Sequence, residues 1–281
     1  MDFNISRFRH AKEKFYGSIM LVIGTLIWAV VLLIPVVYLL QGKAIPALIF
    51  ALYFAAFWLF SFIARALTRA YMLGHFVMVG PAQFPQLHRM VVEGTQTVGL
   101  KEVPATFVYN SSGVMNAMAL RLVGRSRYIW LTSALIDCDD EDQVRFVVGH
   151  ELGHHVAGHL DEPWSYLRLP AHFIPFLAPA YSRARELTCD RVGVFVARNL
   201  QASRTALQML ACGSAKLNRQ MNPDAFQAQE RMVPGIAGFV LNAISGYPRL
   251  TRRVEAVTQF YAGANTRAEP APARAQAVQP A

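Results

Sequence analysis

His150-Glu151-Leu152-Gly153-His154, in a chain of 281 residues, is the stretch from which the rest can be read. On a helix, residues four apart share a face, so His150 and His154 can offer two imidazole nitrogens to a single ion. Glu151 stands one position after the first of them. From there its carboxylate can reach an attacking water instead of the metal. The preceding run Gln143-Val144-Arg145-Phe146-Val147-Val148 is apolar at helical spacing, and Asp139 to Asp142 ahead of it supply a cap and acidic first-turn residues. The five residues therefore belong on a helix. Gly149 and Gly153 directly precede the two histidines, and each costs a helix about 1 kcal/mol against Ala. A helix that accepts this is expected to need close approach by backbone, metal or substrate.

Catalytic zinc usually takes three protein ligands and a water, so HExxH is one ligand short. Gly158 falls one residue late for the HExxHxxGxxH spacing and His159 one residue early. The next candidates lie in Ser182-Arg183-Ala184-Arg185-Glu186-Leu187-Thr188-Cys189-Asp190-Arg191, where Glu186 and Asp190 are four apart and share a face of a second helix. One carboxylate can complete a two-histidine, one-carboxylate zinc site. The other can accept the free N–H of a ligating imidazole. A solvated helix face with Arg183 and Arg185 as ion partners is the competing use of the same residues. An HExxH that still lacks a ligand weighs against it.

HELGHH followed by SRAREL-TCD-R resembles the HtpX-like membrane zinc metallopeptidases of peptidase family M48, whose pattern is HExxH and then SRxxExxxD. The similarity takes in Asn116-Ala117, which matches a strand ahead of the active helix, and Tyr247-Pro248-Arg249-Leu250, where relatives carry His-Pro. It spans roughly residues 70 to 260, with two membrane spans ahead of it. The resemblance implies one Zn2+ per chain held by His150, His154 and Glu186, with Glu151 as the base and Asp190 behind the ligands. It implies an α+β, mainly α fold, in which a transmembrane helical hairpin precedes a zincin-like (gluzincin) domain with a small antiparallel sheet. Tyr247 stands where the family has a histidine expected to stabilise the oxyanion. Its hydroxyl is also a donor, so it is either an oxyanion donor or a packing residue at a turn.

Ile19 to Leu40 is apolar without a charge, Pro35 being its one interruption, and Leu48 to Ala64 is a second such run. Each approaches the ~20 residues that cross a bilayer. Gln41 to Ile45 joins them, so a tight antiparallel hairpin is expected. The first run is too long for the apolar part of a signal peptide, and a second follows at once. Arg7, Arg9, Lys12 and Lys14 precede the first run, Arg65 and Arg69 follow the second, and Lys43 alone lies between. The positive-inside rule then puts the N-terminus and the large domain in the cytoplasm, at a cell inner (plasma) membrane. A net charge of +9 suits a domain resting on anionic lipid. The basic residues are scattered and not interleaved with aromatics, so nucleic acid is not the expected partner. Cys138, Cys189 and Cys212 are three in number, without a paired framework, as in a reducing compartment. Cys189 sits within the Glu186 to Asp190 segment; as a small, readily buried residue it is read as packing, not as a ligand.

The expected organisation is a basic N-terminus over 1–16, a hairpin over 17–66, a protease domain over 70–261 and a disordered Ala/Pro tail over 262–281. Within the domain, Gln83 to Val98 reads as a helix and Ala105 to Tyr109, Val114 to Leu120 and Arg127 to Thr132 as strands. Asn116 is the candidate for an edge strand that binds an extended peptide through main-chain hydrogen bonds. Trp164 to Tyr181, broken by Pro170, Pro175 and Pro179, reads as a re-entrant or membrane-apposed loop that could gate the site. Helical patterning continues from Leu200 through Leu210, and Val233 to Ile244 reads as core. The function expected is zinc-dependent hydrolysis of peptide bonds at the cytoplasmic face, on unfolded or membrane-associated protein substrates, in membrane-protein quality control. A CAAX-type prenyl-protein protease shares the two motifs but calls for more spans. A non-catalytic scaffold with structural zinc has no use for Glu151.

Overall fold

The computed structural model describes residues 3–123, 126–161 and 163–268. A one-turn helix α1 (Ile5–Phe8) leads into two long helices, α2 (Ala11–Leu40) and α3 (Ala44–His75). Both are long and apolar enough to cross a membrane. They are joined by Gln41-Gly42-Lys43, where Gly42 takes a φ of 74° that a Cβ would strain. Leu26, Val30, Leu33, Leu52, Phe60 and Leu67 point outward along them. The apolar surface is thus offered to an apolar solvent and not folded into a core.

The helices overrun the expected 17–66 at both ends, and residues 3–16 are not a segment separate from the rest of the fold. Phe3 stacks on Phe8 with ring centroids 4.8 Å apart, and Phe8 meets Phe195 and Phe260 at 5.1 and 5.6 Å. Burying these rings ties the start of the chain to the main core. Asn4 and the ring of His10 accept from the first-turn amides of α1 and α2, so both helices start within the segment.

The domain continues with β1 (Val77–Met78), α4 (Pro85–Thr97), β2 (Ala105–Tyr109), β3 (Ala117–Arg121) and β4 (Arg127–Thr132). Strand order is β1-β2-β4-β3. The β1/β2 and β3/β4 pairs are antiparallel, but β2/β4 is parallel, so the small sheet is mixed where an antiparallel one was expected. The reason is topological. β4 folds back on β3 as a hairpin and enters the sheet beside β2, which fixes its direction relative to β2 and leaves β3 at the free edge. The third strand starts at Ala117, later than the sequence suggests, because Asn116 ends a turn and its side-chain oxygen accepts from the Ala117 amide.

Thereafter come α5 (Ser133–Cys138), α6 (Glu141–Val156), α7 (Trp164–Arg168), a 3-10 turn over Leu169–Phe173, α8 (Leu177–Ala197), α9 (Leu200–Cys212), α10 (Ala215–Asn218), α11 (Pro223–Ala228), α12 (Gly235–Ile244) and α13 (Leu250–Ala268). Asp140 caps α6 in a capping box with Gln143. Helices α6 and α8 cross at backbone distance. A Cβ on Gly149 would lie 2.7 Å from Val196 Cβ, and one on Gly153 would lie 3.0 Å from Cys189 Cα. Gly193 faces Phe146 from the other side, where a Cβ would come within 2.9 Å of the ring. The glycines beside the histidines thus serve helix packing.

Three further expectations are revised. Residues 164–173 are mostly helical, and they pack along α2: a Cβ on Gly24 would lie 2.1 Å from the Leu167 carbonyl oxygen, and Trp28 Nε1 donates to Tyr166 at 2.8 Å. α12 is not core. Ile236 is 84% exposed, Phe239, Leu241 and Ile244 are exposed as well, and only Gly238 is buried. An apolar run of ten residues flanked by turns was equally compatible with a surface helix. Finally, α13 runs through 262–268, where a disordered tail was expected, because its Val254 and Val257 are anchored in the core and the helix carries on past them. Residues 269–281 of that tail lie outside the described residues.

Candidate active site

α6 contributes His150, Glu151 and His154, α8 contributes Glu186 and Asp190, and α13 contributes Arg253. Because α6 and α8 touch at their glycines, the facing side chains meet across a short gap. His150 Nε2 lies 3.3 Å from Glu186 Oε2, and His154 Nε2 lies 3.6 Å from Glu186 Oε1. Metal bonds of about 2.0–2.1 Å at a tetrahedral angle separate donor atoms by about 3.3 Å, so each imidazole stands from Glu186 at about the spacing of two ligands on one zinc ion. His150 Nδ1 meets Asp190 Oδ1 at 2.9 Å, which leaves Nε2 turned toward Glu186. Arg253 clamps Asp190 with both of its prongs, Nε to Oδ2 at 2.8 Å and a terminal nitrogen to Oδ1 at 2.6 Å.

Burial sets the electrostatics. It would raise Glu186 and Asp190, but hydrogen bonds from His150 and the charge of Arg253 hold both carboxyls down to about 2. Burial pushes His154 well below its ordinary range, so its ring is neutral, as a ligand must be. His150 is lifted to about 10 despite burial, because two carboxylates accept its protons; an ion would replace the proton on Nε2. Glu151 is raised to about 7, mainly by burial and partly by Glu186, against the pull of His150 and a backbone hydrogen bond at Ala119. A carboxyl poised near neutrality is suited to taking and returning a proton.

His150 and His154 also come within ligand distance of Cys189. That sulfur lies on the inner side of the pair, 3.5 Å from His159 Nδ1, fully buried, with its thiol pushed well up by burial. It does not line the cavity, whereas Glu186 does. Glu186 and Cys189 thus approach the histidine pair from different sides, Glu186 from the cavity and Cys189 from the buried interior.

The cavity over these groups has a volume of about 500 Å³. Asn116, Ala117, Met118 and Ala119 form one wall, so the free edge of β3 runs past Glu151. Asn116 is fixed at the strand entrance by bonds between its backbone and Thr132. Tyr247 stands at the opposite rim, 66% exposed, its hydroxyl held above its ordinary range by burial and by Glu186 and Glu151. It therefore remains a donor. Three groups escaped the reading of the sequence. Arg253 resembles its exposed neighbour Arg252 in every local respect. His159 shows in the sequence only as a histidine one residue early for HExxHxxGxxH. Glu13 lies 146 residues from the His159 it bonds, with no local signal at all.

Residues 81–170, which include α6 and its HELGH stretch, match the model of Peptidase family M48. The chain is also 30% identical over 174 residues to the plastoglobule-localized metallopeptidase 48, chloroplastic, of Arabidopsis thaliana, an alignment that covers 57% of this chain and 49% of the relative. Over these residues the chain is similar to peptidase family M48. The chain spans about half the length of the curated relative it matches. Among solved structures it is similar to the crystal structure of S. mikatae Ste24p, with a TM-score of 0.48 and 15% identity over 88% of this chain and 66% of that one. The family match ends at residue 170, so Glu186, Asp190 and Arg253 enter the candidate site on geometry alone.

Proposed function

We propose that this chain is a membrane-anchored zinc endopeptidase in which His150, His154 and Glu186 hold the ion and Glu151 is the general base. The observation that carries the reading is the approach of two imidazole nitrogens to the Glu186 carboxylate, at 3.3 and 3.6 Å, in the lining of a cavity that an edge strand borders. Bound there, zinc would supply Lewis acidity to the scissile carbonyl and to the attacking water. Glu151 takes the proton from that water and later returns it to the leaving amine. Asp190, itself held by Arg253, keeps His150 in one tautomer and one orientation. An extended peptide adds to β3 through main-chain hydrogen bonds, beginning at Asn116, which reads shape more than side-chain sequence. Tyr247 is the donor at the rim for the oxyanion.

Location follows from charge. Arg7, Arg9, Lys12 and Lys14 before α2's apolar run, and Arg65 and Arg69 after that of α3, put the domain in the cytoplasm at the inner membrane. Substrates would be unfolded or membrane-associated proteins, as in quality control. Two helices among the described residues are long and apolar enough to span, which suits an anchor more than an enclosing chamber and favours this over a prenyl-protein protease.

Glu151→Gln should keep one zinc per chain while lowering cleavage of an unfolded membrane-protein substrate by about 10²–10⁴-fold. Glu186→Ala should drop zinc below one ion per chain in a metal assay. Normal turnover by the first variant, or intact stoichiometry in the second, would refute the respective role.

A further inference from the structure

Glu13 belongs to the first turn of α2, yet it is 2% exposed and its carboxylate is turned into the protease domain. Oε1 faces His159 Nε2 at 3.1 Å, Oε2 accepts from the Thr188 hydroxyl, and Arg9 pairs with the same carboxylate. Thr188 lies on α8 between Glu186 and Asp190, and its hydroxyl oxygen accepts from the His10 amide at 2.9 Å. On its other side, His159 places Nδ1 3.1 Å from Nδ1 of His154. The His159 side chain is fully enclosed.

One arrangement of protons satisfies these contacts with His154 as a ligand. A neutral His154 whose Nε2 lone pair faces the ion carries its hydrogen on Nδ1. Its partner across 3.1 Å must then accept, so His159 Nδ1 is bare and its hydrogen sits on Nε2. That hydrogen points at Glu13, which can only accept. The reverse arrangement would set the lone pair of His159 Nε2 against a carboxylate. Cys189 Sγ, 3.5 Å from His159 Nδ1, is a weak donor to the same acceptor and does not alter the order.

We propose that Glu13 and His159 are positioning residues for His154, so that the first turn of a membrane helix is part of the metal site. The proposal rests on the reading of His154 as a zinc ligand. The two histidine ligands are then oriented from different sources. His150 is held from within the domain by Asp190 and Arg253, and His154 from the hairpin through His159. Such partners commonly account for 10–100-fold in metal affinity. Displacing α2 against α8 breaks the second support and leaves the first intact.

The test uses the full-length chain in detergent and measures zinc affinity by competition with a chromogenic chelator. Glu13→Ala and His159→Phe should each weaken zinc by about 10–100-fold. Together they should weaken it no more than His159→Phe alone, because both interrupt the same relay. Glu13→Gln should bind within a few-fold of the unaltered chain, since its side-chain oxygen still accepts from His159. If Glu13→Ala does not fold, Glu13→Leu, alone and in the His159→Phe background, carries the comparison. Zinc affinity unchanged from the parent in His159→Phe or in the Glu13 variant that lacks an acceptor, or losses that add, would overturn the relay while the site stands. A parent chain that binds no zinc would overturn the site itself, and the relay with it.

Discussion

Glu151 and Tyr247 both line the cavity, and burial is the main cause that raises each of them. Glu151 is buried and raised to about 7, which suits a proton acceptor; Tyr247 is raised from its ordinary value and stays protonated. Tyr247→Phe should lower kcat by about 10–10²-fold and leave KM within a few-fold, because an oxyanion donor acts in the transition state. An equal rise in KM with kcat unchanged would make it a substrate contact instead. Asp139, at the end of α5, is raised to about 7 by burial and by Asp140, and one of its oxygens has no hydrogen-bond partner. Its folded value lies above its unfolded one, so the charge it acquires as pH rises from about 4 through 7 destabilises the fold. Asp139→Asn should therefore melt higher than the parent at pH 8, by on the order of 1 kcal/mol, and lose the advantage near pH 4. Thermal unfolding at the two pH values checks this. His150, Glu151 and His154 were legible in the sequence because one helical repeat carries all three. Arg253 was not, since nothing local separates it from Arg252; only the fold buries one and exposes the other.

At the level of elements, the crossing of α6 and α8 decides whether a site exists. α6 carries two of the three proposed ligands and α8 the third, and the glycines let the two backbones come close enough for imidazole and carboxylate to meet. Gly149→Ala raises intrinsic helix propensity by about 1 kcal/mol, yet its Cβ would stand 2.7 Å from Val196. The variant should be less stable by about 1–3 kcal/mol and hold less zinc, because α8 must move away from α6. A variant more stable than its parent, with a full zinc complement, would show that the crossing has slack. The helix pair could be anticipated from spacing and caps. The mixed sheet could not, since the pairing of β2 with β4 spans residues 105 to 132, and the direction of a strand is not written in its own alternation. The exposed α12 likewise shows that a short apolar run says nothing about which side of it is covered.

For the whole molecule, the hairpin is both anchor and neighbour. α2 passes the α7 segment at Gly24 and Trp28, and its first turn reaches the back of the candidate site. If the basic flanks set the orientation, the loop between α2 and α3 faces outside. Lys43→Cys should react with a membrane-impermeant maleimide in intact cells, while the native Cys138 and Cys212 do so only after permeabilisation. Labelling of the native pair in intact cells would invert the topology. By itself the sequence determined that His150, Glu151 and His154 share one helix and that two long apolar helices exist, because helical period and hydrophobic length are local properties. It also suggested Glu186, four residues before Asp190, as the carboxylate that HExxH lacked. What joins these parts was decided only by tertiary structure. Arg253 behind Asp190, β3 at the free edge and Glu13 behind His159 depend on contacts between residues far apart in the chain, whose partners are set by packing and not by neighbours in sequence.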